Sequence, residues 1–241
     1  MAQVRVLALD FVGTLAGHGP APDGRLVADV LRTLPGATVP DSFPSRFDSV
    51  TRRFRLTDQA RGVRTSFATR LRRAAHDCGA SVPDLRLAVE AVFTAVPDAR
   101  VDPRAAQALR ALCANGLSCV LASNTDRPRS VRLQTLRAAG IADCFGALVL
   151  SSTLGLRKPD PRFYAAVTRA AGCPPEDILF VGDNPENDAV APHAFGMSAV
   201  LITSRPRPAT LPAAIATLGH VSELTTHVTL RCPHSTQRGA S

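Results

Sequence analysis

The sequence contains no tryptophan and a single tyrosine, and aromatic residues make up only 5% of its 241 positions. Stacking platforms are therefore scarce, which argues against a nucleic-acid surface built on aromatic side chains. Lysine is nearly absent: of 28 basic residues one, Lys158, is lysine, and the other 27 are arginine. No apolar run reaches the ~18 residues that a membrane-spanning helix needs. The opening stretch, MAQVRVLALDFVGTLAG, is faintly like a signal peptide, but Asp10 interrupts its apolar part, and an export signal has no place for a carboxylate there. The expected compartment is the cytosol. Six cysteines are present (Cys78, Cys113, Cys119, Cys144, Cys173 and Cys232), and none stands in a CxxC pair or at a zinc spacing with a histidine. They read as reduced, mostly buried thiols.

The rest of the composition is that of an ordinary globular protein, with 45% hydrophobic and 20% charged residues. The length suits one sizeable core or two small ones and excludes a disulfide miniprotein. Disorder, collagen and coiled coil do not describe the whole chain. Net charge is +8 and the pI is near 10.1. The basic residues are spread along the chain, so the charge reads as mild attraction toward anionic small molecules rather than as a nucleic-acid tract. Richness in Ala, Pro and Arg suggests GC-rich coding, which replaces Lys wherever Arg serves. Arg does not serve where a tight site needs a compact ammonium. Lys158 is a functional candidate on that ground alone.

Five short apolar runs, Val4–Asp10, Leu117–Ser123, Ala147–Ser151, Ile178–Asp183 and Ser198–Thr203, suit strands buried on both faces of a parallel sheet. Helical stretches alternate with them. One starts at Asp102-Pro103 and stops at Asn115-Gly116, one runs from Pro128 to Gly140, one follows Pro159 to Gly172, and one covers Glu186–Phe195 with Pro192 as a kink. This alternation predicts an α/β, Rossmann-like three-layer core with a parallel sheet. The stretch 19–97 has no convincing strand and repeats apolar residues at helical spacing, as in Leu26, Val27, Val30 and Leu31, and again in Leu85, Leu87, Val89, Val92 and Phe93. Its middle is rich in Arg. It reads as an inserted all-helical domain, so the expected division is 1–18 with 98–223 as core, 19–97 as insertion, and 224–241 as a flexible tail.

Polar signals close the strands: Asp10-Phe11-Val12-Gly13-Thr14-Leu15 after the first, Ser123-Asn124 after the second, and Gly182-Asp183-Asn184-Pro185-Glu186-Asn187-Asp188 after the fourth. Arg157-Lys158-Pro159-Asp160-Pro161 opens the helix that follows the third. Ligands of open parallel sheets bind outside the carboxyl ends of the strands, so these signals converge. A strand-end carboxylate can attack phosphorus. Carboxylate-bound Mg²⁺, Lys158, Ser123 and backbone N–H groups can hold the phosphoryl oxygens.

In this order the motifs resemble those of the haloacid dehalogenase (HAD) superfamily, in the subgroup with a helical cap after the first motif. The resemblance covers roughly residues 4–205. It implies Asp10 as nucleophile, Ser123 as phosphoryl-binding residue with Asn124 beside it, and Lys158 as the lysine of the third motif. It implies Mg²⁺ held by Asp10, the Val12 carbonyl and Asp183, with Asp188 acting through a water or through Lys158. Val12 departs from the pattern, because phosphatases of the family place there a second Asp that serves as acid and base. Three readings stay open. One is a Mg²⁺-dependent phosphatase of a small anionic metabolite, tolerant of the missing acid or using His18 or Asp23 in its place. The next is C–halogen or C–P hydrolysis, for which the cap lysine expected of a C–P hydrolase is not found. The last is a catalytically impaired binding protein. No nucleic acid or membrane partner is expected, and a monomer or homodimer is. Single arginines of the insertion read as solvated faces or as an anion clamp. His76, His193, His220, His227 and His234 form no metal pattern, Cys232-x-His234 is too short a signal, and Phe11 either packs in the core or touches substrate.

Overall fold

A computed structural model describes residues 4–61 and 65–228 of the chain. In chain order the elements begin with β1 (Val6–Leu9), α1 (Gly24–Arg32), α2 (Phe43–Arg61), α3 (Phe67–Cys78), α4 (Leu85–Ala95) and α5 (Pro103–Ala114). Then come β2 (Ser118–Ser123), α6 (Arg129–Ala138), β3 (Phe145–Leu150), α7 (Ser151–Leu154), α8 (Pro161–Ala171) and β4 (Ile178–Gly182). A π-helical turn (Pro185–Val190), α9 (Ala191–Ala194), β5 (Ser198–Ile202), β6 (Ala216–Leu218) and α10 (Leu224–His227) complete the described part.

All six strands join one sheet in the order β3-β2-β1-β4-β5-β6, every pair parallel. β1 is buried at all four positions, as a central parallel strand covered on both faces must be. On one face Val6, Ala8, Val120, Ala122 and Phe180 pack with Phe163, Tyr164 and Val167 of α8. Alternation sends Cys119 to the other face, where it meets Cys113 of α5; helices therefore cover both faces, giving three layers. α5, α6 and α8 start and stop near where the punctuation predicts. Asp102 and Asp160 accept backbone N–H groups at the starts of α5 and α8, each followed by Pro. Gly172 ends α8 in the left-handed conformation.

The chain divides into two compact units. Among the described residues one comprises 4–17, 100–124 and 136–228, and the other 18–61, 65–99 and 125–135. Thus 125–135, which the sequence groups with the α/β part, counts with the helices of the insertion. That helical unit has its own core of Val27, Leu31, Phe43, Phe47, Phe67, Leu71, Val92 and Phe93, joined by Val131. Phe67 stacks edge-on against Phe93 with centroids 4.8 Å apart. Leu87, read from the spacing as a core residue, is 47% exposed. Asp98 ties 125–135 into this unit, pairing with Arg127 at 2.9 Å and Arg132 at 2.8 Å.

Three expectations are corrected. β6 was not foreseen; it pairs with β5 through only three residues, Val200 to Ile202. The expected helix over Glu186–Phe195 is a π-helical turn followed by the short α9, and Pro192 lies in the first turn of α9 rather than at a kink. The tail does not begin at 224, because Leu224 and Val228 are buried and α10 packs on α5. Residues 229–241, with Cys232 and His234, lie outside the described residues. Among the described cysteines Cys119 and Cys173 are buried, while Cys78, Cys113 and Cys144 are half-buried. No described helix is long and apolar enough to cross a membrane.

Candidate active site

β1 has β2 on one side and β4 on the other, so the direction of connection reverses there. That is the switch point at which open α/β sheets bind ligands. Asp10 follows β1, and Asp183 and Asp188 follow β4. Carboxylate oxygens of the three lie within 4.8 Å of one another. Ladder bonding fixes Asp10: its N–H donates to the Val181 carbonyl at 2.9 Å. Two glycines admit the acids. A Cβ at Gly13 would overlap the Asp183 carboxylate, and one at Gly182 would overlap that of Asp188. Gly13 also has φ +80°, a conformation that few other residues adopt.

Lys158 lies among these acids and is only 3% exposed. Its ammonium donates to Asp10 Oδ1 at 2.8 Å, to Asp188 Oδ1 at 2.6 Å and to the Ala122 carbonyl at 2.9 Å. Three N–H bonds thus meet three acceptors. Burial opposes the charge on Lys158, but Asp10 and then Asp188 outweigh it and hold the ammonium above the ordinary lysine range. Burial raises the Asp188 carboxyl to about 6 against the pull of Lys158. Asp188 is further held by the Asn184 N–H at 3.0 Å. Asp183 is exposed.

Ser123 ends β2 and is buried. Asn124, expected at the phosphoryl group, engages both ends of its side-chain amide elsewhere. Nδ2 donates to the Lys158 carbonyl and Oδ1 accepts the Lys158 N–H, each at 3.0 Å. This amide pair makes Asn124 a residue that positions Lys158. Val12 places an isopropyl group between Asp10 and Gly13, where it is half-buried. Asp23 is occupied as the N-cap of α1, accepting the Leu26 N–H at 2.8 Å, and His18 is exposed. Phe11 is fully buried, which favours its packing reading. His220 caps the turn after β6 through Ser222, a structural part.

Two residues support the site in ways the sequence did not show, Asn184 within the fourth motif and Tyr164 outside every motif. Asn184 accepts the N–H groups of Glu186 and Asn187 and so shapes the turn that carries Asp188. The Tyr164 hydroxyl donates to the Asn187 carbonyl at 2.7 Å. Its being the only tyrosine, on the helix just after Lys158, was the one signal available.

Fold and site define an α/β enzyme with its polar centre at the switch point of a parallel sheet. The model of the haloacid dehalogenase-like hydrolases matches residues 4–196, and the chain belongs to that family. It is 30% identical over 137 residues to a phosphoserine phosphatase of Thermus thermophilus, covering 57% of this chain and 54% of that protein. It is 37% identical over 101 residues to a phosphoglycolate phosphatase of Nitrosospira multiformis, covering 41% of this chain and 42% of the other. The chain thus spans about half the length of the curated relatives it matches. Among solved structures, a 2-haloacid dehalogenase from Pseudomonas syringae superposes with a TM-score of 0.67 at 21% identity, covering 93% of this chain and 97% of that one. That likeness concerns the fold.

Proposed function

We propose that the protein is a Mg²⁺-dependent phosphoryl hydrolase of a small anionic metabolite, with Asp10 as nucleophile. One observation carries this reading: the Asp10, Asp183 and Asp188 carboxylates cluster within 4.8 Å, and the Lys158 ammonium pairs with two of them. Ionised carboxylates this close together would repel a phosphate unless a cation lay among them. Hard oxygen donors this close suit a small divalent cation. Asp10, Asp183 and the Val12 carbonyl would hold it, with Asp188 in support. Bound Mg²⁺ supplies positive charge for the phosphoryl oxygens.

In this reading an Asp10 oxygen attacks phosphorus, the bond to the leaving oxygen breaks, and an acyl phosphate stays on Asp10. Lys158 orients Asp10 through Oδ1, which leaves Oδ2 to attack. Ser123 and neighbouring N–H groups hold the phosphoryl oxygens. Water then attacks phosphorus, releases phosphate and restores the carboxylate. Val12 donates no proton, and general acid–base help is worth ~10²–10⁴ in rate. Substrates whose leaving group departs unprotonated, such as acyl and enol phosphates or phosphoanhydrides, are therefore favoured. The division into an α/β core and a helical cap is retained in this reading. A dehalogenase reading uses Asp10 as nucleophile but needs no cation for the clustered carboxylates to hold.

The test is hydrolysis of acetyl phosphate and p-nitrophenyl phosphate by wild type, Asp10→Asn and Val12→Asp, with and without Mg²⁺. Wild-type turnover is expected to stop on chelation and in Asp10→Asn, and to rise in Val12→Asp on the less activated ester. Release of halide from 2-chloropropionate that survives chelation, with no phosphate release by any variant, would overturn the proposal.

A further inference from the structure

At the opposite end of the sheet from Asp10, three cysteines from three elements converge. Cys113 lies in the last turn of α5, Cys119 near the start of β2, and Cys144 just before β3. Gly116, with φ +90°, turns the chain between α5 and β2 and so brings Cys113 back onto Cys119. The two sulfurs are 3.7 Å apart, and the Cys144 carbonyl oxygen is 3.8 Å from Cys113 Sγ. Burial divides their parts: Cys119 is wholly enclosed, whereas Cys113 is half-buried and reaches solvent.

We propose that Cys113 and Cys119 form a peroxide-reactive thiol pair, with Cys113 as the attacking sulfur and Cys119 as the resolving one. The thiolate is the reactive form of cysteine. A hydrogen bond from Cys119 lowers the Cys113 thiol to about 7. The same contact, together with burial, holds the proton on Cys119. Cys144 is raised to about 12, chiefly by burial, with Arg110 and Asp143 facing it. Of the three, Cys113 alone is both accessible and readily ionised. An accessible thiolate next to a second thiol is the usual arrangement of a redox-sensing cysteine.

The chemistry balances with hydrogen peroxide as oxidant. The Cys113 thiolate attacks the O–O bond, hydroxide leaves, and Cys113 becomes a sulfenic acid. The Cys119 sulfur then attacks Cys113, the S–O bond breaks, and the Cys119 proton leaves with the hydroxyl as water. Two thiols are oxidised to a disulfide and one peroxide is reduced to two waters.

Arginine positions make the test direct. Trypsin cuts after Arg110 and Arg129, while Pro128 protects Arg127, so both cysteines lie on one peptide, 111–129. Cys144 lies on another, 138–157. The whole protein is treated with hydrogen peroxide, alkylated with iodoacetamide and digested without reduction. Peptide 111–129 is expected unalkylated and lighter by two hydrogen atoms, in wild type and in the control Cys78→Ser. In Cys119→Ser, where a hydroxyl can still donate to Cys113 but cannot resolve it, dimedone is expected to label Cys113; in Cys113→Ser, Cys119 is expected to stay unlabelled. A doubly alkylated 111–129 after peroxide would overturn the pair. So would a cross-link from 111–129 to 138–157, or dimedone labelling of Cys119 in Cys113→Ser.

Discussion

Lys158 illustrates what one residue's chemistry can and cannot reveal. Scarcity of lysine marks it in the sequence, but the reason lies in its surroundings. Three acceptors, Asp10 Oδ1, Asp188 Oδ1 and the Ala122 carbonyl, meet one tetrahedral ammonium. A planar guanidinium keeps the charge but neither the size nor the three directions. Lys158→Arg is therefore expected to fare no better than Lys158→Met, each losing roughly 10²–10³ in kcat on acetyl phosphate, as when one preorganised donor is removed. Most of the activity surviving in Lys158→Arg would show that charge alone is needed. Gly13, Asn124 and Gly182 were legible as members of a motif, but not for what they do. The glycines make room for carboxylates and Asn124 grips the Lys158 backbone 34 positions away. Side-chain partners so distant leave no local pattern in a single sequence.

At the level of elements, periodicity and punctuation carried most of the fold. The five expected strands are found within about two residues of their expected bounds, as such readings allow. What failed was short or irregular. β6 has three residues after a Pro-rich loop, too few to show a period. The turn after Asn184 keeps a helical composition, yet its hydrogen bonds widen to the π pattern. Asp102 was legible as a helix start, and its energetics can be tested. Its Oδ1 accepts the N–H groups of Arg104 at 2.7 Å and Ala105 at 3.0 Å. Asp102→Ala is expected to lower stability by about 1 kcal/mol, the usual worth of such a cap, and Asp102→Asn by less. The bond from Ala105 holds the Asp102 carboxyl below its ordinary value of 3.8. A depressed folded pKa means that the charge contributes stability above the unfolded value and loses it as pH falls through the folded one. Urea melts should therefore separate wild type from Asp102→Asn at pH 6, with the gap closing below about pH 3.8. A gap that persists at pH 2 would mean that Asn fails sterically rather than electrostatically.

Over the whole molecule, the sequence showed where helices replace the α/β alternation but not which residues close the helical unit. Its arginines read as solvated faces or as an anion clamp; some of them pair internally, as Arg70 does with Asp126 at 2.6 Å and Arg73 with Asp77 at 2.8 Å. Arg127 goes further. Its guanidinium donates to the carbonyls of Phe93, Val96, Pro97 and Pro20 and pairs with Asp98. One buried side chain thus binds the segment that enters the unit near residue 20, the segment that leaves it at 93–98, and its own stretch 125–135. Arg127→Met keeps much of the volume but strands four carbonyls and weakens the hold on Asp98, which Arg132 and Thr135 still contact. Removing one partner of a buried charged pair costs about 3–5 kcal/mol. Because the helical unit has its own core, that loss should fall on the closing segments rather than on the sheet. Hydrogen exchange is expected to speed up at residues 93–99 and 125–135 in Arg127→Met, while amides of β1, β2 and β4 keep their protection. Equal acceleration in those strands would mean that the molecule unfolds as one cooperative body, and that Arg127 supports all of it.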